Sequence, residues 1–339
     1  FMLFEQLRKL WGKLWGTGIG LCKKNSEADQ FWFAYEKGVL PPASIPNTTD
    51  PAHKKMYQGW KSKKDHLAIE ASGADLKKHY QYMMSLPEVR PFFQEILDKG
   101  LTFPEWQQWN AAYFSHGYLL IITVEPYPEP DILKRFARVF DQTYTRFLDL
   151  KKAEAQARES EIQLALERIR AATMAMHHSG ELSDVLSTLF EQFDILGINP
   201  SHAVLTLIDK EKNTLNFRTT GTRGYRVEAE QEVDLEVADA WVDTTEKWKK
   251  SNPNAVNINE YPPEILPEVW EVYGEILAAI PKKSRPRIED FPEGLFITDG
   301  YCRFGYIGFA HNREPTEEEK EIVKRIATEF GTLYQRFLD

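Results

Sequence analysis

Apolar and polar positions alternate with a period of two at several places along the chain. Leu215 and Phe217 alternate with Asn216 and Arg218, after an apolar run, AVLTLID, and a charged turn, DKEKN. Two such runs joined by a polar turn predict an antiparallel hairpin. The same pattern predicts hairpins in EWQQWNAAYF–SHG–YLLIITV (105–124) and in GLFITDGYCRF–GYIGFAH (294–311). In QFWFAY (30–35) apolar residues fall on consecutive positions, as in a strand covered on both faces, so Trp32 and Phe33 must point to opposite layers.

Between the strands lie helical stretches. PAHKKMYQGWKSKK (51–64) and DAWVDTTEKWKKS (239–251) carry aromatics at helical spacing, and 74–104 and 260–293 are helical and punctuated by proline. From Asp131 to His178 there is neither glycine nor proline, and Ala, Glu, Lys, Arg, Gln and Leu dominate, which predicts one long helix. Leu148, Ala155, Ile162, Ile169 and Met176 recur every seven residues, with Ala165, Leu166 and Ala172 beside them. Such a stripe suits either a seam between two paired helices or packing onto a domain of the same chain. Pairing is the expectation, and with it a parallel homodimer.

The pattern occurs twice. FEQL at 4–7 returns as FEQF 186 residues on, and ILKRFARVFDQTYTRFLD at 132–149 returns as IVKRIATEFGTLYQRFLD 190 residues on. Offsets that agree this closely mark two homologous modules differing by small loop changes. Each reads α-β-β-α-β-α-β-β-α. The modules are placed at 1–138 and 179–339, with a connecting helix at 139–178. A chain of 339 residues is also longer than one core usually serves, which agrees with two domains.

This layout resembles the GAF domain, a small sensory module with a central antiparallel sheet flanked by helices and a ligand pocket on one face. The segment ALERIRAATMAMHHSGELSDVLSTLFEQFDILGI (165–198) is similar to the stretch preceding GAF-like domains in bacterial sensor histidine kinases and nucleotide cyclases. The resemblance implies an α/β (α+β) fold of two GAF-like domains joined by a long helix, in a sensory fragment that binds a small molecule or a partner and relays the change through the coiled-coil-like helix; a purely structural dimerisation module, its pockets filled by its own aromatics, is an alternative. Because YTRFLD continues into a charged helix at 150 but closes the chain at 339, an output domain is expected beyond the C-terminus. No cyclic-nucleotide signature of the N-K-x-F-D-E type stands in either copy, and Cys22 and Cys302 do not match the cysteine position of bilin-binding relatives. The ligand is left unidentified and no cofactor is assigned.

Composition narrows the rest. A net charge of −9 argues against nucleic acid, and the longest apolar runs are too short to span a membrane. Cys22 and Cys302 make no disulfide framework or metal spacing, so no metal site is expected and a reducing cytoplasm fits. A catalytic relative of the free methionine sulfoxide reductases would use closely placed cysteines. One cysteine per copy, at unmatched positions, lacks a resolving partner, so no enzyme activity is expected.

The aromatic set Trp32, Trp60, Tyr80, Tyr82, Trp106, Trp109 and Tyr113 is dense in the first copy and mostly serves as core. From it Trp32, Trp106, Trp109 and Tyr113 are the candidate ligand contacts. In the second copy the candidates are Arg218 and Tyr301, and Arg223 and Arg226 could also meet an anion. His116 is read as a turn residue, and His177 and His178 as a solvated helix end rather than a phosphoacceptor site.

Overall fold

A computed structural model describes residues 2–338 apart from 11–12, 37, 101, 221–228, 235–238, 253, 275–277 and 279. The chain divides into two compact units, Phe1–Ala153 and Glu154–Asp339.

The first unit runs α1 (Met2–Leu10), β1 (Leu14–Leu21), β2 (Ala28–Tyr35), β3 (Gly38–Val39), β4 (Ala43–Pro46), α2 (Pro51–Lys61), β5 (His66–Ser72), α3 (Gly73–Ser85), α4 (Arg90–Asp98), β6 (Trp106–Phe114) and β7 (Gly117–Thr123), and then enters α5 (Pro130–Met174). Its sheet has the order β3-β2-β1-β7-β6-β5, with β4 also on β2, and every pairing is antiparallel. Alternation sends Ala112, Phe114, Leu119 and Ile121 to one face, against Leu7 of α1 and Leu133 and Ala137 of α5. The residues between them, Trp109, Ala111, Tyr118 and Leu120, face α2, α3 and α4 across an aromatic core. Asp50 starts α2: its carboxylate accepts from the backbone N–H groups of Ala52 and His53, and Pro51 preorganises the first turn.

The second unit takes the remainder of α5 and adds α6 (Leu182–Ile195), β8 (His202–Asp209), β9 (Thr214–Thr219), β10 (Ala229–Asp234), α7 (Asp239–Lys250), β11 (Val256–Tyr261), α8 (Leu266–Val272), β12 (Leu295–Cys302), β13 (Gly305–His311) and α9 (Glu317–Leu338). The order β10-β9-β8-β13-β12-β11 repeats that of the first sheet except for β4, which has no counterpart among the described residues. Thr316 and Glu319 cap α9 reciprocally, the Thr316 hydroxyl accepting from the Glu319 N–H and the Glu319 carboxylate from the Thr316 N–H.

The anticipated order of helices and strands is present in both units, and both are α+β with antiparallel sheets. The short edge strands β3, β4 and β10 were not anticipated. Two residues are too few to show a period, and AEQEVD is too polar to read as a strand.

The repeat extends to side chains that the sequence comparison did not match. Trp60 of α2 donates its indole N–H to the Ser115 carbonyl in the β6–β7 turn, and Trp248 of α7 donates to the Cys302 carbonyl at the end of β12. Tyr113 and Tyr118 meet with ring centroids 6.1 Å apart, and Tyr301 and Tyr306 at 6.0 Å. Each unit thus ties a helix to its last hairpin in the same way.

The seven-residue stripe has a different setting from the expected seam. Ile162, Ile169 and Met176 are buried together with Ala165 and Leu166 in the core of their own unit, against α6, α9 and one face of the sheet. Ala155 is exposed and Leu148 half-buried. For Ile162, Ile169 and Met176 the burial that pairing was expected to provide comes from within the unit, while Leu148 and Ala155 lie outside that core. No described helix is long and apolar enough to cross a membrane.

Candidate functional site

In the first unit the sheet and α2–α4 do not close completely on one another. They enclose a cavity lined by Phe31, Phe33, Tyr80, Phe92, Phe93 and Trp109, and the space open to the centre of a water-sized sphere is about 50 Å³. That is several times what one water needs. Two polar groups of the lining are buried, the Tyr80 hydroxyl and the Gln107 amide nitrogen, and the amide acts on the hydroxyl as a side-chain hydrogen-bond partner. The Gln107 carbonyl oxygen is used, accepting from the Trp109 indole at 3.2 Å. A primary amide has two donors and a hydroxyl can both donate and accept, so the contact between the amide and the Tyr80 hydroxyl leaves capacity for a polar group of an occupant.

His53 and His79 line the same cavity. Asp50 lies between them: its Oδ2 is 3.1 Å from His53 Nδ1 and its Oδ1 is 3.1 Å from His79 Nδ1. The two rings stack with centroids 5.7 Å apart, and the Trp109 ring is 4.6 Å from that of His79. Burial by itself would raise the Asp50 carboxyl, but hydrogen bonds from the two imidazoles outweigh it and hold the group well below the usual carboxylate range. Burial lowers His53 despite its bond to Asp50.

Of the anticipated contacts in this unit, Trp109 lines the cavity. Trp106 does not, because the cavity side of β6 is set by Gln107, Trp109 and Ala111 and the parity of the strand turns residue 106 away. Trp32 is turned away likewise, since Phe31 and Phe33 on either side of it take the cavity face. Tyr113 shares the face of Trp109 but is not part of the wall; its hydroxyl lies against Gly59 of α2. His116 stands in the β6–β7 turn beside Asp141 and Tyr144.

The second unit has a cavity on the matching face, about 40 Å³ by the same measure, lined among others by His202, Phe217, Trp270 and Tyr273. Arg218 is not in it. It is buried on the opposite face, where its Nε donates to Asn216 Oδ1 and its charge acts on Tyr334 of α9. Tyr301 packs on Trp248 and Tyr306. Arg223 and Arg226 lie outside the described residues. His177 and His178 are exposed, and their backbone N–H groups donate to Glu181.

On the cavity side of the second sheet, Asp299 is buried with one carboxylate oxygen unpaired, the Thr245 hydroxyl is also buried and unpaired, and the hydroxyls of Tyr306 and Thr206, which lie opposite each other on β13 and β8, interact. Burial pushes the Asp299 carboxyl up from 3.8 to about 7. The unfolded chain therefore loses this proton near pH 4 while the folded unit keeps it until about pH 7, so the group lowers stability progressively as pH rises through that window. Asp299→Asn is expected to remove this contribution. Its unfolding free energy relative to the native protein should grow between pH 4 and pH 7 and level off above; a difference independent of pH would mean that Asp299 is not held protonated.

Neither cysteine offers a thiolate. Burial and the nearby Asp29 raise the Cys22 thiol well above its usual range, and burial pushes Cys302 up to about 11.

No protein-family model matches the sequence, and comparison with curated proteins gives no match. Among solved structures, a fragment of a methyl-accepting chemotaxis protein (its residues 122 to 287) is similar at 13% identity, covering 51% of this chain and 98% of that one, with a TM-score of 0.31. A bacteriophytochrome from the photosynthetic bacterium R. palustris is similar at 11% identity, covering 90% of this chain and 57% of that one, with a TM-score of 0.27. Likenesses of this size decide neither fold nor function.

Proposed function

We propose that the chain is a tandem sensory region of a signal-transduction protein, non-catalytic, in which the first unit binds a small, largely apolar molecule carrying a hydrogen-bonding group. The observation that carries this reading is the aromatic cavity between the first sheet and α2–α4, with the Tyr80 hydroxyl and Gln107 amide in its wall. A purely structural module would fill this space with its own side chains, whereas an apolar molecule with one hydroxyl or carbonyl fits it and can bond to the spare capacity of these two groups. The repeat of the same sheet, with a second cavity on the matching face, supports a shared sensory design. The GAF-like layout of the sequence points the same way.

The test uses a cavity-filling variant. Trp109 is a poor probe, since removing a ring this deeply buried costs about 3–5 kcal/mol in its own right. Val89 also lines the cavity, at the start of α4. Phenol or indole at a hundredfold excess over its dissociation constant is expected to stabilise the first unit by about 2.7 kcal/mol. Val89→Phe should abolish that shift while its circular dichroism stays native. Failure of phenol, indole and every molecule extracted from the purified protein to raise the first unfolding transition would overturn the reading.

A further inference from the structure

We propose that Asp50, His53 and His79 form a binding site for one divalent transition-metal ion of the zinc class. Among the described residues these three make a group whose potential ligand atoms all lie within 4.8 Å of one another. The two imidazole nitrogens each stand 3.1 Å from a different oxygen of the same carboxylate. In a tetrahedral zinc site with bonds of about 2.1 Å, neighbouring ligand atoms are about 3.4 Å apart, so the three ligand atoms, which lie within 4.8 Å of one another, need to draw together by up to about 1.4 Å to hold an ion. Two imidazoles and one carboxylate make a donor set that suits Zn²⁺, Co²⁺ or Fe²⁺ and disfavours Mg²⁺ and Ca²⁺, which take oxygen ligands.

The surroundings fit a held ligand set. The Asp50 carboxylate is fixed by the backbone N–H groups of Ala52 and His53, and the ring of His79 is braced by Trp109. Supporting contacts of this kind orient metal ligands. The site also has a route to solvent, for Asp50 and His79 form part of a surface groove of about 360 Å³ that carries Glu70, Asp75, Lys55 and Lys78 as well. On its inner side His53 and His79 border the aromatic cavity. An ion there would join the start of α2 to α3, with a fourth position left for water. The positive end of α2 opposes a cation, and the charge of Asp50 offsets it.

This proposal does not depend on the cavity having an organic ligand, and its test reads the metal alone. The whole chain, stripped with a chelator, is titrated with Co²⁺ and followed by visible absorption, then with Zn²⁺ by calorimetry. One equivalent should bind, giving the d–d bands of four-coordinate Co²⁺ without a thiolate charge-transfer band. His79→Gln should raise the dissociation constant at least tenfold, while the double change His177→Gln with His178→Gln, at the exposed pair, should leave it unchanged. Should His79→Gln fail to fold, histidine side-chain NMR of the native protein decides instead: Zn²⁺ should perturb His53 and His79 among the eight histidines. Absence of saturable one-to-one binding, binding that survives His79→Gln, or perturbation confined to other histidines overturns the site.

Discussion

Ile169→Asp is expected to abolish the cooperative unfolding transition of the second unit and to leave that of the first intact. Ile169 has no exposed surface and sits among Leu182, Val185, Leu189, Ile322 and Phe330 in the largest apolar cluster of its unit. An uncompensated charge at such a place costs about 3–5 kcal/mol, added to the lost packing of the isoleucine. That is a large share of the roughly 5–15 kcal/mol that holds a domain folded. Calorimetry of the variant should lack the transition of the second unit and keep that of the first. The outcome also separates two roles for the stripe. If the variant keeps both units folded and instead converts a dimer to a monomer by light scattering, the stripe is a seam between chains after all.

The second large effect is expected at two matched glycines. Gly305 heads β13 with φ +147°, and a Cβ placed there would lie 2.0 Å from the Thr206 carbonyl oxygen of β8. At the head of β7, a Cβ on Gly117 would lie 1.8 Å from the Gly20 carbonyl oxygen of β1. Both obstacles are backbone atoms within a paired sheet, so neither can swing aside. Gly305→Ala should therefore destabilise the second unit, and Gly117→Ala the first, each by about 3 kcal/mol or more. Gly274, whose Cβ would meet nothing within 4 Å, is the control, and Gly274→Ala should stay within about 0.5 kcal/mol. Equal and mild effects at all three positions would show that the strands can separate to accept a side chain.

The fold was legible where the pattern is local. Alternation in EWQQWNAAYF and GYIGFAH marks β6 and β13, and the absence of glycine and proline marks α5. The repeat then carried the topology, because two copies of one order of elements give the same sheet twice. What the pattern left open was parity and partnership. Trp32, Trp106 and Trp109 are equivalent as aromatic residues, and only the register of each strand decides that Trp109 alone meets the cavity. Arg218 follows the same rule on β9, where Phe217 and Thr219 take the cavity face. The cluster of Asp50, His53 and His79 was missed because the i,i+3 pair Asp50 and His53 is completed only by His79 of α3, which no short spacing links to it. Asp299 did leave a signal, a lone acid within the apolar run LFITDGYC, which is unusual unless the carboxyl is buried for a reason.

The sharing of α5 determines how this protein can be dissected. A fragment beginning at Ser179, after the long helix, would omit Ile162, Ala165, Leu166, Ile169 and Met176 and leave the apolar sides of α6 and α9 facing water. Such a fragment should aggregate or bind hydrophobic dyes, whereas one beginning at Glu154 retains the whole cluster and should be the shorter piece that survives proteolysis. The stretch of helix that reads as a connector is, for the second unit, an inner wall.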